Sequence, residues 1–166
     1  GQALRIIAGT ATVGRGVNLA SSASLTTQAP HPLIATVNVG SRPQRLAITP
    51  DGTKAYVANS SSNSITVLNT ATNAVITTIS VGTAPSDVAI TPDGSKAFIT
   101  NRNGHTISVI NTSTDTVTTS FGSFPSINTP RTITMAPGGA RAYVPNGGSN
   151  TVSVINTATN SVAATI

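Results

Sequence analysis

Eleven residues are written nearly twice, as TPDGTKAYVAN at 49–59 and TPDGSKAFITN at 91–101, and a third, looser time as APGGARAYVPN at 136–146. Asp51 lies 42 residues before Asp93, Asn59 lies 42 before Asn101, and Asn101 lies 45 before Asn146, with the extra three residues in SFPSINT at 123–129. A tandem period of this length marks a chain made of one supersecondary unit, each copy burying its apolar face against the next.

Within a copy the apolar residues alternate in short runs separated by turn residues, and no helical spacing is sustained. In the first copy RLAIT (45–49), KAYVA (54–58), SITVLN (64–69) and AVITTISV (74–81) read as four strands. Each repeat is therefore expected to be a four-stranded antiparallel meander, and the fold class all-β.

The connections explain the conserved-looking spelling. Pro50 presets its φ for the first corner of a type I turn, Asp51 can bond its own backbone, and Gly52 supplies the left-handed residue that closes a three-residue hairpin. Asp93 and Gly94 repeat this chemistry, while Pro137-Gly138-Gly139 does so with no carboxylate. These aspartates thus read as turn residues and not catalysts. Asn59, Asn101 and Asn146 end the second strand of each copy and are expected to take left-handed backbone and cap the link that follows. Asn69, Asn111 and Asn156 lead into the fourth strand in the same way.

The tetrads YVAN (56–59), FITN (98–101) and YVPN (143–146), each after a PDG-like turn and before (S/T)(I/V)xV(L/I)NT, resemble the YVTN family of β-propeller repeats across residues 34–166. The resemblance implies that each meander is a propeller blade with strands running outward from a central axis. It implies an origin on archaeal or bacterial surfaces, and no catalytic residue to transfer. Blades are expected at about 34–79, 80–121 and 122–166. Pro145 inside YVPN lacks a ladder donor, which predicts distortion of the second strand of the third blade.

Three blades are fewer than the roughly four to eight that close a ring. Residues 34–39, in phase with the fourth strand of each blade, form an orphan outer strand. Three ways of completing the ring stay open: a degenerate blade from residues 1–33, a longer propeller of which this is an excerpt, or other copies of the same chain. Residues 1–33 are read as an extended arm in which LRIIAGTATV (4–13) pairs with a blade edge, with Leu4, Ile6, Ile7 and Val13 as its assembly strand.

Composition narrows function. The chain has 166 residues, a net charge of +5, no Cys, 3% aromatics and no Glu beside four Asp. Absent Cys rules out disulfides and thiolate metal sites. Scattered cations without aromatic platforms argue against nucleic acid. No apolar run reaches the length of a membrane span. Four Asp make a paired-carboxylate glycosidase hard to assemble, and His31 and His105 lack companions for a metal site. Asp87, whose counterparts are Arg45 and Thr132, is the one acid placed at an inner strand near the axis. Sequons occur at Asn59 and Asn111.

The expectation is a non-catalytic, secreted or cell-surface structural protein that needs no cofactor. Its partners would be other copies of itself, through strand addition or blade stacking, and surface polysaccharide. The alternative is part of a lactonase-like or lyase-like enzyme or ligand-binding propeller.

Overall fold

Alternation of β-branched residues with Ala and Ser produces twelve strands among the described residues. The structure, a computed structural model, describes residues 35–166 apart from residue 124. The chain divides into two units, Gly1–Thr36 and Val37–Ile166, and the fold described here is that of the second. The expected arm and its strand at Leu4, Ile6, Ile7 and Val13 lie outside the described residues.

The first blade consists of β1 (Pro43–Ile48), β2 (Lys54–Asn59), β3 (Ser64–Asn69) and β4 (Val75–Ser80). The second consists of β5 (Pro85–Ile90), β6 (Lys96–Asn101), β7 (Thr106–Asn111) and β8 (Thr116–Phe121). The third consists of β9 (Thr134–Met135), β10 (Arg141–Asn146), β11 (Thr151–Asn156) and β12 (Ser161–Thr165). Each is an antiparallel sheet whose strands neighbour one another in chain order. The chain is thus an all-β array of propeller-type blades.

Blades stack face to face, with β5 lying against β1 and β2 and β9 against β5. Side chains alternate across each sheet, so one face of a strand meets the blade ahead and the other the blade behind. Tyr56, Ile65 and Val67 of the first blade pack on Val88, Ile99 and Ile110 of the second. Phe98, Ile107 and Val109 of the second pack in turn on Ile133, Val144 and Ile155 of the third. The core is two apolar layers between three sheets.

Four positions per repeat carry left-handed backbone. They are Arg42, Ala84 and Thr129; Gly52, Gly94 and Gly139; Asn63, His105 and Asn150; and Asn73, Asp115 and Asn160. Gly52 and its equivalents do what the PDG reading required. The hairpin itself is one residue longer than expected: Thr49 N–H bonds the Lys54 carbonyl (2.9 Å) while Lys54 N–H donates to the Thr49 hydroxyl (3.0 Å), leaving four residues between them. A side-chain oxygen takes the place of the second ladder acceptor.

Two expectations are corrected. Residues 35–39 form no strand, so the described part of the expected outer strand 34–39 is absent; the following residues are held by Gly40 N–H on the Thr66 hydroxyl and Ser41 N–H on the Ser62 hydroxyl. Pro145 does not distort the second strand either. Strand β10 pairs with β11 along all six residues, and β9 is the one cut to two. Pro145 faces Val152 in that ladder, and Val152 exchanges its backbone bonds with Ile166 on its other side. The missing N–H therefore falls on the β9 side, where only Arg131 N–H to the Pro145 carbonyl (3.3 Å) remains.

Candidate functional site

The tetrad asparagines do not cap links. Asn59, Asn101 and Asn146 are strand residues, buried, and absent from the left-handed positions. The residues that turn the chain there are Asn63, His105 and Asn150. Asn59 Nδ2 instead donates across the sheet to the Thr66 hydroxyl (2.9 Å), Asn101 Nδ2 to Ser108 (2.9 Å) and Asn146 Nδ2 to Ser153 (2.7 Å). Because Asn59 is fully enclosed, its sequon has no accessible amide in the folded chain. Asn111, by contrast, is partly exposed, and its Oδ1 accepts Ser113 N–H (2.9 Å) and Thr114 N–H (3.2 Å) as an Asx turn.

Among the described residues the Oδ1 atoms of Asn59 and Asn101 have no hydrogen-bond partner. In the third blade Asn146 Oδ1 accepts Asn128 N–H at 3.2 Å. Asn128 lies in the segment 123–129 that carries the three extra residues, and the same segment delivers the fully buried Ile127 to the second core layer. The segment is thus a packing and hydrogen-bonding element.

At the opposite rim the blades are joined by polar contacts. Lys54 Nζ donates to Asp115 Oδ2 (2.7 Å) and to the Thr112 carbonyl (2.8 Å) of the second blade. The Tyr56 phenol donates to Asp115 Oδ1 at 2.5 Å. Burial, followed by this bond to a carboxylate, pushes the Tyr56 phenol well above its ordinary range. One repeat on, Lys96 Nζ reaches the Thr157 carbonyl (2.8 Å) and Asn160 Oδ1 (3.2 Å).

The outermost faces differ from their internal equivalents. Leu46 of β1 is 59% exposed, whereas Val88 and Ile133 at the same repeat position are 4% and 5% exposed. At the other end Tyr143 is 40% exposed, against 0% for Tyr56 and Phe98. Between the first two blades a cleft of about 220 Å³ is lined by Arg42, Arg102, Gln44, Ser60, Ser61 and Ser86 among others. Neither arginine has a carboxylate partner among the described residues.

Sheet order and blade stacking agree with a sequence comparison in which the profile of the lactonase, seven-bladed β-propeller family matches residues 19–164. The chain belongs to this family. No curated protein matches it. Hydrazine synthase of Kuenenia stuttgartiensis superposes with a TM-score of 0.72 and 24% identity, over 84% of this chain and 38% of that one. U3-55K superposes with a TM-score of 0.70 and 18% identity, over 78% and 40%. A functionally unknown protein from Desulfotomaculum acetoxidans gives 0.64 and 26%, over 74% and 40%. The first two are likenesses of fold alone. The chain spans about two fifths of the length of each.

In this lactonase-family chain the acids singled out by sequence are occupied. Asp51 Oδ1 accepts the Thr49 hydroxyl (2.5 Å) and Thr53 N–H (3.0 Å), and Asp93 Oδ1 accepts Thr91 and Ser95 likewise. These bonds, the threonine hydroxyl first, hold both carboxyls below their ordinary range. Asp87 binds Val88 N–H (2.9 Å) with one oxygen and Ile133 N–H of the third blade (3.0 Å) with the other. His105 Nδ1 accepts Thr129 N–H at 3.1 Å. Among the described residues no three His, Cys, Asp or Glu side chains come together to hold a metal, and no helix is long and apolar enough to cross a membrane.

The sequence carried one signal for the buried asparagines: a hydroxyl residue stands five and seven positions after each, at Ser64 and Thr66, Thr106 and Ser108, Thr151 and Ser153. Nothing local marked Tyr56 and Asp115 as partners.

Proposed function

We propose that this chain is a non-catalytic array of YVTN-type blades that works outside the cell as a self-assembling structural protein. The observation that supports this reading is the pair of open blade faces, with Leu46 and Tyr143 exposed where their repeat equivalents are buried. Blade faces are built to be covered, and an uncovered one is an association surface. A composition with 8% charged residues and abundant Ser, Thr and Asn suits an extracellular setting. Catalysis has little support: Asp51, Asp87 and Asp93 each spend their carboxylates on neighbouring donors.

Size-exclusion chromatography with light scattering over a concentration series tests this. Oligomers whose mass rises with concentration are expected; a chain that stays monomeric with its blades folded overturns the reading. Hydrolysis of simple lactones, followed by proton release, is expected to be absent, and turnover would restore the enzyme alternative.

The Arg42–Arg102 cleft favours a second reading, a ligand-binding propeller that takes acidic saccharide. Two guanidinium groups without carboxylate partners among the described residues, flanked by serine hydroxyls, suit a sugar carboxylate. Binding to polygalacturonate but not to dextran, lost in Arg42→Ala and Arg102→Ala and weakened by salt, would support it. Equal retention of both polymers would overturn it.

A further inference from the structure

We infer that His105 is a proton-operated clasp between the second and third blades: neutral, it holds the segment that enters the third blade, and protonated, it lets that segment go. Such a device works alike in an assembling, a ligand-binding or a catalytic propeller.

Each of the first two blades reaches forward with the last residue of the turn between its second and third strands. Asn63 Oδ1 accepts Ala84 N–H at 2.8 Å, and His105 Nδ1 accepts Thr129 N–H at 3.1 Å. All four residues have left-handed backbone, with φ of 51° and 54° in the first pair and 53° and 50° in the second. The bond therefore belongs to one place in the repeat. It survives the three extra residues of 123–129, spanning 21 residues in the first case and 24 in the second. Asn63, His105 and Asn150 occupy that place in turn, so of the two described boundaries one rests on a group that titrates.

Chemistry separates the two bonds. An amide oxygen accepts at every pH, whereas Nδ1 accepts only while it carries no proton, which puts the proton of the neutral ring on Nε2. Protonation makes Nδ1 a donor facing the Thr129 N–H, a donor against a donor, and the bond is lost. The charged groups on the elements packed about His105 are Arg102 on its own hairpin, Asp87 on β5 and Arg131 in the entering segment. The arginines offer no counter-charge, and Asp87 is spent on Val88 and Ile133 N–H. Among the described residues His105 makes no ion pair.

The segment stays with the third blade when the clasp opens. Gly147 N–H bonds the Thr129 carbonyl (3.1 Å), Gly148 N–H the Asn128 carbonyl (3.2 Å), and Asn128 N–H the Asn146 amide oxygen (3.2 Å). Further along, the Ser86 hydroxyl on the Arg131 carbonyl (2.8 Å) and Asp87 on Ile133 N–H (3.0 Å) keep the two blades together. What opens is thus local, the stretch around Thr129 beside the buried Ile127.

Amide hydrogen exchange of the full chain tests this with its own controls, read by NMR as protection factors between about pH 8 and about pH 5, where an imidazole titrates. Thr129 should lose about tenfold in protection toward the acid end, the loss of one hydrogen bond, while Ala84 and Ile133 keep theirs. His105→Asn, the residue of the neighbouring repeats, should abolish the change although His31 remains, and Asn63→His should bring it to Ala84. A Thr129 amide whose protection ignores pH, or falls only in step with Ala84 and Ile133, overturns the clasp. So does an acid response that survives in His105→Asn. Wild type alone decides the first two of these outcomes, so the clasp is tested even where a variant does not fold.

Discussion

Tyr56 Oη and Asp115 Oδ1 lie 2.5 Å apart across the boundary between the first two blades, 59 residues apart in sequence. Lys54 Nζ holds the other oxygen of the same carboxylate at 2.7 Å. One acid thus receives a neutral and a charged donor from the neighbouring sheet, in a site where Asp115 retains 12% side-chain exposure. At the second boundary Phe98 has no hydroxyl to donate, and Lys96 Nζ meets the amide oxygen of Asn160 at 3.2 Å in place of a carboxylate.

Replacing Tyr56 by Phe should cost about 1.5–3 kcal/mol, the range for a hydrogen bond to a charged group. Adding Asp115→Asn should cost less than the sum of the two single changes, because the acceptor that lost its donor is no longer charged. Urea unfolding of the four chains in a double-mutant cycle should show a coupling of about 1 kcal/mol. Strict additivity would mean that the bond contributes nothing.

Tyr56 also sets an alkaline limit. Its raised pKa means that the contribution to stability is complete below the ordinary value of 10.0 and is lost as pH rises toward the folded value. In a Tyr143→Phe chain, which keeps Tyr56 as the one tyrosine, tyrosinate absorbance should appear together with loss of the β circular-dichroism signal. Ionisation near pH 10 in a fully folded chain would contradict the buried contact.

At the acid end Asp51 and Asp93 act in the opposite sense. Their lowered pKa values mean stability that is present above the ordinary value of 3.8 and is lost as pH falls through the folded values. Asp51→Asn and Asp93→Asn should flatten the fall in melting temperature below that pH. Carbon-detected NMR titration of Thr49→Val should move the Asp51 carboxyl upward, since the Thr49 hydroxyl is the largest cause of its shift.

Gly52 and Gly82 separate two uses of glycine. Gly52 has φ of +73° and open space around it, whereas a Cβ on Gly82 would sit 2.6 Å from Asn101 Cγ. Alanine at 52 should cost about 1–2 kcal/mol through left-handed strain, and asparagine should recover part of that, since Asn tolerates this backbone. At 82 alanine should cost about 1–3 kcal/mol through overpacking, and asparagine should be worse. Thermal unfolding of the four variants distinguishes these patterns.

The strands and the PDG hairpins were legible because both are written in local residues: alternation over six positions, and a glycine where the backbone turns left-handed. The role of Asn59, Asn101 and Asn146 was misread because Asn also favours such backbone, and turn-forming neighbours surround it. Its hydroxyl partners five and seven residues later were on the page but meaningful only once the cross-strand register was known. Arg42, Ala84 and Thr129 are left-handed without a side chain that announces it. Their backbone is set by the entry into the next blade.

The sequence by itself determined that this chain is a row of equivalent β-meanders, since a 42-residue period, alternating strands and turn glycines act within one blade. Only the tertiary structure decided which residues bind blade to blade. Lys54 meets Asp115 across 61 residues and Lys96 meets Asn160 across 64, and such pairs depend on how far one sheet is rotated and offset against the next. That offset is chosen by the packing of Tyr56, Phe98 and the Ile and Val around them, a sum over many weak non-local contacts that no single stretch of the chain encodes.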